Sequence, residues 1–467
     1  MFDLSINNVY LVDYINKINK KCSIGIEGGK ISEISEDNLQ NKSKKSINLD
    51  GKLAVPGIID IHTHITPIFG GSEGGLYMLA KAGVCTAVDL AGPIDTVYNI
   101  VGKNGSGINV AVLESIRPGE NIVDNSPNKN QLKDFINDCL VKGAIGCKLL
   151  GGHYPLTLES SGDFVEVANK EQAYVCWHAG TTNNINTIKS FEDLIELTGN
   201  NKLHAAHINT YCRGIMEDEI IESHKALDLL DKHKNIYSEA YLAQTNGINF
   251  RLDDSGHLKS KATGQTLRNA GYEDSEKGII NALRDGFAHV FAPCGIETNV
   301  YYGEEAIQLL IENKCEISGG FDVNPPLSRL CVCLSKNKQG RFIVDAISTD
   351  GGAIPRNVTV SYGMALVKMG MLTVEDFVYK TSVMPAKMLG LKNKGHLSLG
   401  SDADITIIDK DCCNPIMTIV NGNICMYNGI VLEKGGTIIT TERGHEYVLK
   451  HNLPTYLVES NDFLPQR

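Results

Sequence analysis

Between residues 55 and 397 short apolar runs alternate with amphipathic stretches, and few folds accommodate that rhythm. Apolar runs end at 64 and cover 84–89, 110–113, 145–150, 174–177, 204–208, 236–240 and 344–348. Helical spacing fills the gaps at 76–82, 130–142, 162–169, 191–198, 218–232 and near 362–369. In 130–142, for example, Leu132, Phe135, Ile136, Cys139 and Leu140 recur with the helical period. Strands alternating with helices of about ten to fifteen residues build parallel βα units. About eight units over ~300 residues predict a (β/α)8 barrel of the α/β class, whose site lies at the C-terminal strand ends.

The flanks read differently. Residues 4–12, 22–27 and 30–34 are strand-like, 37–46 is a polar loop, and short strands return at 405–408, 416–420, 424–427 and 430–432. The expected organisation is a small β-sandwich domain from 1–54 together with 398–467, and a barrel over 55–397. The segment 241–300, rich in Gly, Asn and Asp and without clear period, is expected as a lid or insertion over the barrel mouth. At 467 residues, with 42% hydrophobic and 21% charged residues, there is ample material for a core. A net charge of −11 disfavours nucleic acid as a partner. No apolar run approaches the ~20 residues of a membrane span, and Met1-Phe2-Asp3-Leu4 lacks a basic signal start. Thirteen scattered cysteines, an odd number, fit reduced thiols and a cytoplasmic location.

Chemistry gathers at the strand ends. In Val55-Pro56-Gly57-Ile58-Ile59-Asp60-Ile61-His62-Thr63-His64, residues i and i+2 of a strand share a face, so His62 and His64 can share a metal. Lys148 interrupts the apolar run Gly146-Cys147-Lys148-Leu149-Leu150, where a charged amine is costly. His178, His207 and Asp350 each stand at or near the end of a separate strand.

Together these residues resemble the amidohydrolase superfamily, in the branch with dihydroorotase, hydantoinase and D-aminoacylase. The resemblance covers most of the chain, through VPGIIDIHTH, GAIGCKLL, CWHAG, HAAHIN, ISTDGG and the closing PAKMLGLKNKGHLSLGSDADITIID. VNPPLSRL also resembles a dihydroorotase segment, with Ser328 before Arg329. The resemblance implies two divalent ions, zinc by the donor set without excluding manganese, iron or cobalt. It implies that His62, His64 and Asp350 hold the more buried ion and His178 and His207 the more exposed one. Lys148, carboxylated by carbon dioxide, would bridge the pair, and Asp350 would shuttle a proton. His153 or Tyr154 would stabilise an oxyanion, and Arg213 would bind a substrate carboxylate, with Arg329 and Arg356 as rivals. The implied function is metal-dependent hydrolysis of a carbon–nitrogen bond in a small cyclic amide or N-acyl amino acid, by a homo-oligomer (dimer or tetramer). The alternatives are a deaminase of a small heterocycle, disfavoured by Lys148, and a non-catalytic amidohydrolase-like scaffold.

Overall fold

A computed structural model of the chain describes residues 1–67 and 71–467. The alternating segment closes into a TIM barrel. Its strands are β1 (Ile58–His64), β2 (Val84–Asp89), β3 (Asn109–Ile116), β4 (Gly146–Leu150), β5 (Tyr174–His178), β6 (Leu203–Ala205), β7 (Ile236–Tyr241) and β8 (Ala346–Ser348). Each is parallel to its neighbour in chain order. The ring shuts because the last strand is used twice: Ala346–Ser348 pairs with β7, and its continuation Gly351–Gly352 pairs with β1. A parallel ring needs crossovers, and helices such as Lys129–Val141, Leu158–Lys170, Ile188–Thr198 and Glu219–Lys232 supply them.

Alternation along the strands separates packing from chemistry. Cys147 and Leu149 on β4, and Val175 and Trp177 on β5, belong to the large core that includes Leu132, Ile136, Phe164 and Phe191 of the crossover helices. Lys148, Cys176 and His178 therefore face the other way, into the ring. The helix at Lys129–Val141 starts on an Asn128–Gln131 capping box, which satisfies its first amides reciprocally.

Both termini build one nine-stranded sheet, in which Leu53–Pro56 lies between Phe2–Asp13 and Ile405–Asp409. The polar segment expected as a loop at 37–46 instead yields the strand Ser43–Asn48, parallel to the start of Phe2–Asp13. Grouping all of 398–467 with this sheet also needs correction. Thr437–Thr440 runs parallel to β3, with Ile438 beside Val110, and Phe463 and Leu464 pack with Tyr174 and Tyr237. The first residues of β3 pair on this side with Thr437–Thr440, and its last residues with β4. The arriving strand satisfies backbone groups that would otherwise be an unpaired edge.

The stretch after β7 is a subdomain with its own core, including Phe250, Leu267, Ile279, Val290 and Phe321. It holds a four-stranded sheet, Ile248–Asn249, Ser318–Phe321, Ala288–Cys294 and Glu297–Tyr301, with helices Lys261–Asn269, Glu276–Arg284 and Gly303–Glu312. It extends past the expected 241–300 and returns to the barrel at the helix Pro326–Leu334. Among the described residues no helix is long and apolar enough to cross a membrane.

Candidate metal centre

At the C-terminal end of the ring, ligand atoms of His62, His64 and Asp350 all lie within 4.8 Å of one another. Asp350 Oδ1 is 2.8 Å from His64 Nε2 and 3.3 Å from His62 Nε2, and Oδ2 is 3.9 Å from His207 Nε2. The His62 and His207 rings stack at 4.9 Å, and His178 meets His207 edge-on at 4.6 Å. Lys148 is wholly buried, with its Nζ 3.1 Å from Cys176 Sγ and no carboxylate in ion-pair contact among the described residues. The ring thus collects all six residues expected as ligands.

Backbone strain marks two of them. Asp350 has φ +51° and His207 φ +26°, values that L-residues rarely adopt and that cluster at functional sites. Strand β6 ends at Ala205, short of the expected 208, and the chain turns through His207 into the short helix Ile208–Tyr211. That turn aims the imidazole at Asp350.

Burial keeps three of the histidines neutral. It pushes His62 and His207 well below the ordinary imidazole range and His178 down to about 3, with Lys148 a further depressing charge on all three. Neutral imidazole is the form that binds metal. Burial alone would raise Asp350, but Arg356, then His62 and His64, hold it well below the usual carboxylate range. Arg356 donates through Nη2 to Asp350 Oδ2 and through Nε, at 2.6 Å, to the Asp350 carbonyl. Its Nη1 reaches the Thr245 carbonyl at 3.1 Å, and it lies over the Tyr241 ring.

Three supporting side chains have no signature in the sequence. Glu239, fully buried on β7, accepts from His62 Nδ1 at 2.6 Å, from the His207 amide at 2.7 Å and from Ser348. With its proton on Nδ1, His62 turns the lone pair of Nε2 towards Asp350. Asn186 lies 2.5 Å from His178 Nε2, which leaves Nδ1 with the lone pair. Asp60, on β1 itself, accepts from the Thr349 hydroxyl at 2.6 Å.

The other expected residues divide. His153 lines the cavity beside His178, and burial lowers it to about 4, so its ring is a neutral donor. Arg213 and Arg356 also line it. Tyr154 does not: its hydroxyl donates to Glu120 at 3.0 Å. Arg329 is also elsewhere, donating to the Leu242 carbonyl at 2.5 Å. The donor set fits a metal on grounds of its own, since the neutral imidazoles of His62, His178 and His207 gather about one ionised carboxylate, Asp350.

A family model described as "Amidohydrolase family" matches residues 53–425. The chain belongs to the amidohydrolase family. The match spans the barrel and its return to the terminal sheet. This amidohydrolase is 25% identical over 447 residues to a dihydroorotase from Elusimicrobium minutum, covering 86% of this chain and 87% of that one. An L-hydantoinase from Paenarthrobacter aurescens is 22% identical over 491 residues, covering 96% and 99%. Among solved structures, N-acyl-D-glutamate deacylase from Bordetella bronchiseptica, complexed with zinc and a phosphonate inhibitor, superposes with a TM-score of 0.64. It is 12% identical, covering 94% of this chain and 99% of that one. Such relatives are hydrolases of carbon–nitrogen bonds, and this chain is an enzyme of that kind.

Proposed function

We propose that this amidohydrolase cleaves the amide bond of a small cyclic amide or N-acyl amino acid with a binuclear metal centre. His62, His64 and Asp350 would hold one divalent ion and His178 and His207 the other, and Lys148, once carboxylated, would supply an oxygen donor to the pair. The observation that carries the reading is the convergence of three ligand atoms within 4.8 Å beside two further neutral imidazoles. The buried Lys148 supports it too. A lysine without a carboxylate partner is costly in a closed site, and a carbamate would turn it into an anionic ligand. Four imidazoles with oxygen donors suit zinc.

When bound, the ions lower the pKa of a water to near neutrality and polarise the substrate carbonyl. Asp350 accepts the nucleophile's proton and returns it to the leaving nitrogen. Arg356 keeps that carboxylate ionised before the step, as a proton acceptor must be. His153 donates to the developing oxyanion, the role Tyr154 cannot fill while it is turned to Glu120. Arg213 binds a substrate carboxylate.

The test is metal content per chain in wild type and Lys148→Ala, with hydrolysis of cyclic amides and N-acetyl amino acids measured on the same preparations. Two ions, falling sharply in the variant together with turnover, are expected. One ion that survives the substitution would favour the deaminase reading, and no metal after reconstitution would favour a scaffold.

A further inference from the structure

The metal cavity does not end at Arg213. It opens into an outer cleft of about 520 Å³ that shares Asn186, Arg213, Ala262 and Thr266 with it. One wall is the loop after β6, the other the helix Lys261–Asn269 of the inserted subdomain. The charged side chains lining this cleft are Arg213, Lys261 and Arg268, with no carboxylate among them. In a chain with 55 acidic and 44 basic residues, an acid-free cationic lining runs against the background.

Their pairing sorts the three cations. Arg268 is held by Asp274 and carries little free charge. Arg213 is half-buried and bound by neutral acceptors, Asn324 Oδ1 at 2.9 Å and Tyr241 Oη at 3.1 Å, with no carboxylate in contact among the described residues. Lys261 is exposed on the rim and likewise without a carboxylate partner there. A guanidinium withdrawn from water without a counter-ion is unfavourable, and an anionic ligand removes the deficit. Beside Arg213 on the loop after β6, Ile215 and Met216 are 44% and 57% exposed and add an apolar strip to the same lining.

We propose that this outer cleft is a substrate subsite for an aliphatic arm ending in a second anionic group. This rests on the amidohydrolase reading and narrows it. The amide next to the metals carries one carboxylate for Arg213, and its outer substituent lies along Ile215 and Met216 and presents another anion to Lys261. The substrate is then an elongated dianionic amide, and a compact uncharged ring leaves the cleft unused. The volume lies within the ordinary range of small-molecule ligand sites, ample for such an arm.

The test uses metal-loaded wild type, Lys261→Ala and Lys261→Glu. Matched probes are N-acetylglutamate against N-acetylglutamine, and N-succinylglycine against N-butanoylglycine, with both enantiomers of the chiral pair. Wild type is expected to favour a dianion over its monoanionic partner by about tenfold in kcat/KM, mostly through KM. Lys261→Glu should abolish or invert that ratio, and raised salt should shrink it. A wild-type ratio near one, or one that Lys261→Glu leaves unchanged, would overturn the subsite while leaving amide hydrolysis standing. Binding of glutarate against butyrate, followed calorimetrically in the same three proteins, separates the two claims without turnover. Tighter glutarate binding lost in Lys261→Glu supports the subsite even where no probe is hydrolysed. Equal binding of the two in wild type overturns it.

Discussion

Glu239 contacts two of the proposed ligand residues from one buried carboxylate, through His62 Nδ1 and the His207 amide. Replacing it with glutamine keeps the size but weakens the charge-assisted acceptor that sets the His62 tautomer. Glu239→Gln is expected to reduce metal affinity about 10–100-fold, as outer partners of metal-bound histidines do. Chelator competition on purified protein measures this, and unchanged affinity would remove the orienting role. Asp60 makes a different prediction. Burial pushes its carboxyl up to about 7, above the unfolded value of about 3.9. A carboxyl raised in the folded state resists ionisation, so its contribution to stability falls as pH rises from about 4 to about 7 and is flat above. Urea midpoints of the metal-free protein should therefore decline less steeply over that window in Asp60→Asn than in wild type. Parallel slopes would refute the assignment. Neither residue is legible in the sequence: Asp60 reads as part of an apolar strand, and Glu239 lies far along the chain from the histidine it orients.

Elements meet at the site because small residues let them. A Cβ on Gly152, just past β4, would stand 2.6 Å from His178 Nε2 at the end of β5. Gly152→Ala must therefore move that ring or the loop, and the expected result is loss of one of two ions with the fold kept. Elemental analysis beside circular dichroism checks this, and two ions with native turnover would refute it. A cap far from the metal centre behaves otherwise. Asn128→Ala removes the side chain that accepts from the amides of Asn130 and Gln131, and should cost about 1 kcal/mol in denaturant unfolding with metal content untouched. The barrel helices were legible because each buries one face with a regular period, as Leu132, Ile136 and Leu140 do on one helix, and the strands because they are short apolar runs buried on both faces. An insertion was expected over 241–300, but its own strands and helices were not legible, because strands such as Ile248–Asn249 and Ser318–Phe321 are too short to show a period and the core closes only when Phe250 and Phe321 meet.

Across the whole molecule, the terminal sheet and the barrel are tied by a buried charge cluster. Lys394 Nζ lies 2.7 Å from Asp404 and 2.9 Å from Asp402, while Asp404 also accepts from Asn109 at the start of β3. Lys394→Met would strand the buried Asp404 carboxylate, while Asp402 keeps Lys30, and is expected to cost about 3–5 kcal/mol, read from denaturant unfolding. A loss under about 1 kcal/mol would mean the carboxylates find water or each other's proton. The sequence by itself determined the barrel and the identity of its six inward ligand-type residues. Strand periodicity is local, and a histidine or lysine in an apolar run stands out without any partner in view. It did not determine where the C-terminal segment pairs, which arginine faces Asp350, or that Tyr154 turns outward to Glu120. Those depend on which backbone edges and charges remain unsatisfied once the ring has closed. Arg356 is an ordinary arginine until the turn at Asp350 puts a buried carboxylate beside it, and only the tertiary structure makes that encounter.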